Sequence, residues 1–102
     1  MLQQVEIKKL SNHTKNLGKS IFIVASPNGI KRTQSVIEES FYDTEKKLVF
    51  EAFNGECSKK EIDRLRQNLR ENVCDIVIGI GGGKIFDTVK AVAYYEGIPV
   101  VR

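Results

Sequence analysis

The chain is poor in the residues that build metal and disulfide sites. It holds two cysteines, Cys57 and Cys74, and one histidine, His13, among 102 residues. The cysteines have neither CxxC spacing nor a histidine partner, and a zinc site needs about four ligands of these kinds. His13 therefore reads as a surface residue, and no metal is expected to be bound. Two thiols without a secretory signal fit a reduced, cytoplasmic protein. Met1 to Leu10 mixes Gln, Glu and Lys among its aliphatics, which is no signal-peptide core. Charge of one sign is scarce too: sixteen Lys and Arg stand against thirteen Asp and Glu, a net +3. The cations are interleaved with acids, as in Lys59-Lys60-Glu61 and Asp63-Arg64, whereas a nucleic-acid footprint is denser and uncompensated. No apolar run approaches the roughly 18 residues of a membrane span. Nucleic acid and membrane are thus not expected as partners. Repeats, low-complexity stretches and Pro/Gly/Ser linkers are missing as well. With 41% apolar and 28% charged residues, residues 1–102 are expected to close around one core as a single domain.

What is present is an alternation of apolar runs and helical patterns. Ile21-Phe-Ile-Val-Ala25 is apolar on both faces, which suggests a strand covered on both sides as in a parallel sheet. Ser26-Pro27-Asn28-Gly29 reads as a turn closing it. A helix is expected over Ile30 to Phe41, with Ile30, Ile37 and Phe41 on one side. Leu48 to Phe53 reads as the next strand. Ser58-Lys-Lys-Glu61 fits a capping box, in which the serine and the glutamate each satisfy an orphan amide. Ile62, Leu65, Leu69 and Val73 then form one apolar stripe. A third run, Ile76-Val-Ile-Gly-Ile80, breaks into Gly81-Gly82-Gly83. The helix after it, with Ile85, Val89, Val92 and Ala93 inward, should end near Gly97 before a last strand around Val100 and Val101. Val5 and Ile7 suggest a short edge strand, and Leu10 to Leu17 a helix. Right-handed crossovers between such units give an α/β fold: an open, mostly parallel, Rossmann-like sheet with helices on both faces. Because the chain stops inside its last strand, the domain is expected to be truncated.

Gly79-Ile-Gly-Gly-Gly-Lys84 lies between a predicted strand and a predicted helix. In that setting glycines let the backbone approach a diphosphate, and the free amides of the helix start stabilise its charge. The motif is neither GxGxxG nor a Walker sequence. Lys84 adds a cation that opposes the helix macrodipole by roughly 0.3–1 kcal/mol, a cost that a bound anion reverses. A tight chain reversal alone needs one or two glycines, not three and a lysine. On composition, Asp87 reads as an ordinary first-turn acid.

These residues carry a resemblance. Phe53-Asn-Gly-Glu-Cys-Ser-Lys-Lys-Glu-Ile-Asp-Arg-Leu65, Ile78-Gly-Ile-Gly-Gly-Gly-Lys84, Phe86-Asp-Thr-Val-Lys-Ala-Val-Ala93 and Gly97-Ile-Pro-Val-Val101 resemble the nucleotide-binding half of the iron-containing (group III) alcohol dehydrogenase family. The Gly-Glu-Cys-Ser segment points to its glycerol dehydrogenase branch. The resemblance implies an NAD-dependent polyol oxidoreductase whose N-terminal α/β domain carries the dinucleotide. A helical C-terminal domain would hold zinc or another divalent metal. Carried over by motif, Gly81, Gly82, Gly83 and Lys84 would line the pyrophosphate, Asp87 would lie toward the nicotinamide, and Thr88 would help fix the loop.

The chain departs from that pattern at three places. Ser26, followed by Pro27, stands where the family has an acid that reads the adenosine ribose, so preference for NAD over NADP is open. Lys84-Ile85-Phe86 lacks a threonine common in the turn. The family's metal ligands are not among these residues, so no catalytic residue is assigned and the chain alone is expected to be inactive. Apolar surface facing a missing domain, with Tyr94 and Tyr95 as candidates, would favour self-association. The alternatives are a stand-alone nucleotide-binding module, or a subunit completed by a separate metal-binding chain. A related enzyme acting on phosphorylated substrates, such as a glycerol-1-phosphate dehydrogenase or a dehydroquinate synthase, is disfavoured by Gly-Glu-Cys-Ser.

Overall fold

The computed structural model describes residues 2–3, 19–42 and 44–101. In chain order the elements are β1 (Leu2–Gln3), β2 (Ser20–Ala25), α1 (Pro27–Ser40), β3 (Lys47–Ala52), α2 (Lys59–Glu71), β4 (Ile76–Ile80), α3 (Gly83–Glu96) and β5 (Val100–Val101). The five strands form one sheet in the order β1-β5-β4-β2-β3, and every neighbouring pair is parallel. The edge strand at Val5 and Ile7, the helix from Leu10 to Leu17 and His13 lie outside the described residues.

The apolar run of β2 explains the layering. Ile21 to Ala25 are all fully buried, and successive side chains point to opposite faces. Phe22 and Val24 pack with Leu65 and Leu69 of α2 and with Val89 and Val92 of α3. Ile21 and Ile23 pack on the other face with Ile37 and Phe41, at the end of α1. The expected parallel sheet covered by helices on both faces is therefore what forms. Each such fully buried side chain contributes about 1.5–3 kcal/mol, so a charge at Phe22 or Val24 would break the layer under α2 and α3, and one at Ile21 or Ile23 the layer under α1.

Three local readings are corrected. Helix α1 begins at Pro27, not Ile30: Ser26 Oγ accepts from Gly29 N at 3.0 Å, and proline sits at the first position. Proline loses nothing there because the first amides of a helix have no partner anyway, so a turn-like sequence starts a helix. Val73 does not extend the stripe of α2. It lies past the helix, 78% exposed with φ +52°, while Val73 N and Cys74 N donate to Arg70 O and Leu69 O at 3.1 and 3.0 Å. That is a Schellman closure with valine where glycine is preferred. Finally, only half of the capping box forms: Ser58 Oγ accepts from Glu61 N at 3.2 Å, but the Glu61 carboxylate turns elsewhere, as described below.

The amino ends of the strands are tied together. The Asp75 carboxylate accepts from Lys19 N at 2.9 and 3.0 Å and from Ser20 N at 2.9 Å. Asp75 N in turn donates to Ser20 O at 2.9 Å. The start of β4 is thereby fixed to the start of β2.

Candidate functional site

From β2 the chain passes through α1 to β3 on one side, then through α2 to β4 on the other side of β2. This reversal makes a topological switch point, and open α/β sheets hold ligands outside the strand carboxyl ends at such a point. Ala25 and Ile80 are register partners, so the segments leaving them, Ser26-Pro27 and Gly81-Gly82-Gly83, sit side by side. The N-termini of α1 and α3 open at the same place.

The two helix starts differ. Ser26 caps α1, whereas the N-cap of α3 is Gly82, with φ −83°, ψ −170° and no side-chain hydrogen bond. The amides of Gly83, Lys84 and Ile85 lie in the first turn, where no carbonyl one turn back exists to accept from them. They offer donors and the positive end of the helix dipole to an anion.

The glycines divide into two kinds. A Cβ on Gly79 would lie 2.6 Å from Val89 Cγ2, so α3 can seat against β4 only over a glycine. Gly81 has φ +140°, and a Cβ there would lie 2.8 Å from Ile85 Cδ1. Both are required by the fold. Gly82 and Gly83 are not: a Cβ on either meets nothing within 4 Å, and neither has positive φ. Two glycines that the fold does not need border an open space beside unpaired donors. Side chains on Gly82 and Gly83 would project into that open space.

The other predicted site residues fall in different surroundings. Lys84 is exposed, and its ammonium lies 3.7 Å from the Glu56 carboxylate. The Thr88 side chain is buried, its hydroxyl donating to Lys84 O at 2.7 Å and closing the first turn of α3. Asp87 is exposed and shares a stripe of α3 with Lys90, Ala91 and Tyr94. That stripe lines a cleft of about 700 Å³ that continues to Gly97 and Ile98. Tyr94 and Tyr95 are 81% and 59% exposed, with the Arg66 guanidinium 5.0 Å from the Tyr95 ring centre.

Sequence reasoning missed the support behind the connection from β3 to α2. Glu61 is fully buried, and its carboxylate accepts from Asn54 N at 3.0 Å and from Arg64 Nε and Nη2 at 2.6 and 2.7 Å. Burial pushes the Glu61 carboxyl up, but the hydrogen bonds from Arg64 and Asn54 outweigh it and hold the group below its ordinary value. Arg64 also donates to Ala52 O at 2.9 Å and pairs with Glu51 at 3.3 Å. The sequence around Asn54-Gly55 gives no sign of the buried carboxylate behind it.

Both cysteines are free thiols. Burial raises Cys74 to about 11, which keeps it protonated and inert. Among the described residues no group of three or more His, Cys, Asp or Glu could hold a metal ion, and no helix is long and apolar enough to cross a membrane.

An open, doubly wound parallel α/β sheet with a glycine-rich helix start at its switch point is the class these features define. The sequence matches the iron-containing alcohol dehydrogenase family over residues 1–98, and the chain belongs to that family. It is 39% identical over 94 residues to a glycerol dehydrogenase of Escherichia coli O6:H1, covering 92% of this chain and 26% of that one. It is 40% identical over 97 residues to a glycerol dehydrogenase of Thermotoga maritima, covering 93% and 26%. The crystal structure of glycerol dehydrogenase from Schizosaccharomyces pombe shares the fold, with a TM-score of 0.83 over 99% of this chain and 26% of that chain, at 23% identity. The chain thus spans about a quarter of the length of the relatives it matches.

Proposed function

We propose that this chain forms the NAD-binding part of a polyol oxidoreductase like glycerol dehydrogenase, and that it does not turn over alone. The observation that carries the reading is the pair Gly82 and Gly83. They stand bare at an uncapped helix start, at the switch point, with no packing reason to be glycine. Gly81 shapes the turn, and the amides of Gly83 and Lys84 hold the pyrophosphate while the Lys84 ammonium neutralises part of its charge. Thr88 fixes the first turn from within. Asp87, one turn on, faces the nicotinamide end. Bound NAD supplies the hydride acceptor; these residues bind and orient it. Among the described residues no cluster fits the divalent metal of the complete family enzymes, so no step is assigned to one. The thiols fit a cytoplasmic setting.

The test is a calorimetric titration of NAD into the purified chain and its Gly82→Asp variant. The parent should bind, and the variant should bind at least about tenfold more weakly, since a carboxylate in the loop repels the pyrophosphate. Neither should oxidise glycerol when zinc is added. A folded parent that binds no NAD, or a variant that binds it equally well, overturns the proposal.

A further inference from the structure

The structure leaves one need of a nucleotide unanswered at the place where folds of this class usually answer it. A ribose diol requires a hydrogen-bond acceptor near the crevice, commonly a carboxylate. The end of β2 offers no carboxylate: Ser26 stands there, its Oγ accepting from Gly29 N, and the first turn of α1 contains no acidic residue. A carboxylate is instead delivered from another strand. Glu56, in the connection after β3, places Oε1 3.7 Å from Lys84 Nζ, the residue that follows the glycine loop. Resting on the NAD reading above, we propose that Glu56 accepts the ribose hydroxyls of the bound dinucleotide and selects a free 2′-hydroxyl over a 2′-phosphate.

Two observations support this role. First, the backbone that carries the carboxylate is held in place while the side chain is left open. Asn54 Oδ1 accepts from Glu56 N at 2.9 Å, and Asn54 N is anchored on the fully buried Glu61. Gly55 turns the chain at φ +104°. Arg64 grips Glu61 with two hydrogen bonds and ties it to the end of β3 through Ala52 O. Burying a carboxylate is costly unless it is well paired, and here the burial fixes the base of the loop that presents Glu56. The Glu56 side chain itself remains 74% exposed, and an ion pair so exposed adds little to stability. Second, the donors and the acceptor are neighbours. A nucleotide carries its phosphate and its diol a few ångströms apart, so a phosphate cradle beside one carboxylate matches both. Bare pyrophosphate gains nothing from the acceptor and is repelled by its charge. A 2′-phosphate is repelled more strongly, which is how an interface rejects the wrong partner.

The experiment measures affinity for NAD, NADP and inorganic pyrophosphate in the full chain and in Glu56→Ala, at low and moderate salt. In the variant NAD binding should weaken about tenfold, the loss of a hydrogen bond to a charged acceptor. Pyrophosphate binding should stay level or tighten severalfold at low salt, where a removed negative charge is least screened. The NAD to NADP preference should therefore collapse. Equal weakening for all three ligands would make Glu56 merely structural, and equal tightening would make it merely a competitor for Lys84. An unchanged NAD to NADP ratio overturns the inference while leaving the NAD crevice standing. A parent that binds no NAD overturns both.

Discussion

At the amino ends of β2 and β4 the Asp75 carboxylate collects the amides of Lys19 and Ser20, and α2 ends in a closed pair of hydrogen bonds to Arg70 O and Leu69 O. At the carboxyl ends of the same strands, α3 starts on Gly82 with no capping side chain, and a Cβ on Gly82 or on Gly83 would meet nothing within 4 Å. One sheet thus has an end where donors are matched internally and an end where they are left for something else. The difference separates residues that hold the fold from residues that hold a ligand, and substitutions can move each independently.

The largest effect is expected at Gly79. An alanine there would press on Val89 Cγ2 from 2.6 Å, lifting α3 from β4 at a cost of about 2–3 kcal/mol. Urea unfolding would register the loss, and NAD binding would fall with it because the glycine loop rides on α3. A Gly79→Ala protein as stable as the parent would mean that α3 is not seated this way. Next comes Asp75→Ala, which gives up hydrogen bonds from two amides to a charged acceptor and should cost about 1–2 kcal/mol. Dinucleotide affinity should remain intact in that variant, since the change is at the opposite end of the sheet. A loss of affinity in a still-folded variant would erase the division between the two ends.

A smaller and opposite effect is expected at Val73. Its φ of +52° is costly for a branched L-residue, and its side chain is exposed. Val73→Gly should therefore raise stability by about 0.5–1 kcal/mol, seen as a higher thermal midpoint with unchanged binding. The same closure at the end of α3 already uses Gly97, with φ +67°. Two helices with one type of ending thus differ in whether the residue suits it.

That contrast also shows what the sequence makes legible. Gly97 declares its helix end because glycine is the usual occupant of the left-handed position. Val73 conceals its own: its spacing from Leu69 matches the apolar stripe, and only the hydrogen bonds made by Cys74 and Val73 set it apart. The fully apolar run of β2 reveals a doubly covered strand because both faces must be apolar. Pro27, by contrast, is compatible both with a turn and with the first position of a helix, and the Ser26 cap decides between them. In the candidate site, the glycine run between a strand and a helix was legible as a backbone meant for close approach. The division into Gly79 and Gly81, which packing and backbone require, and Gly82 and Gly83, which it does not, was not legible. It depends on where Val89 and Ile85 stand in space. The approach of Glu56 to Lys84 was hidden for the same reason, since it follows from α2 and α3 packing on one face of the sheet.

The most direct test of the division between the two ends is at Gly83. Alanine meets nothing there and favours the helix, so Gly83→Ala should keep or raise stability, by about 0.5 kcal/mol, while its methyl group enters the space assigned to the pyrophosphate. Thermal unfolding and NAD titration, measured on the same preparation, should show an unchanged or higher midpoint together with affinity reduced at least about tenfold. A variant that is equally stable and binds NAD as well as the parent would contradict the claim that these bare glycines exist for a ligand.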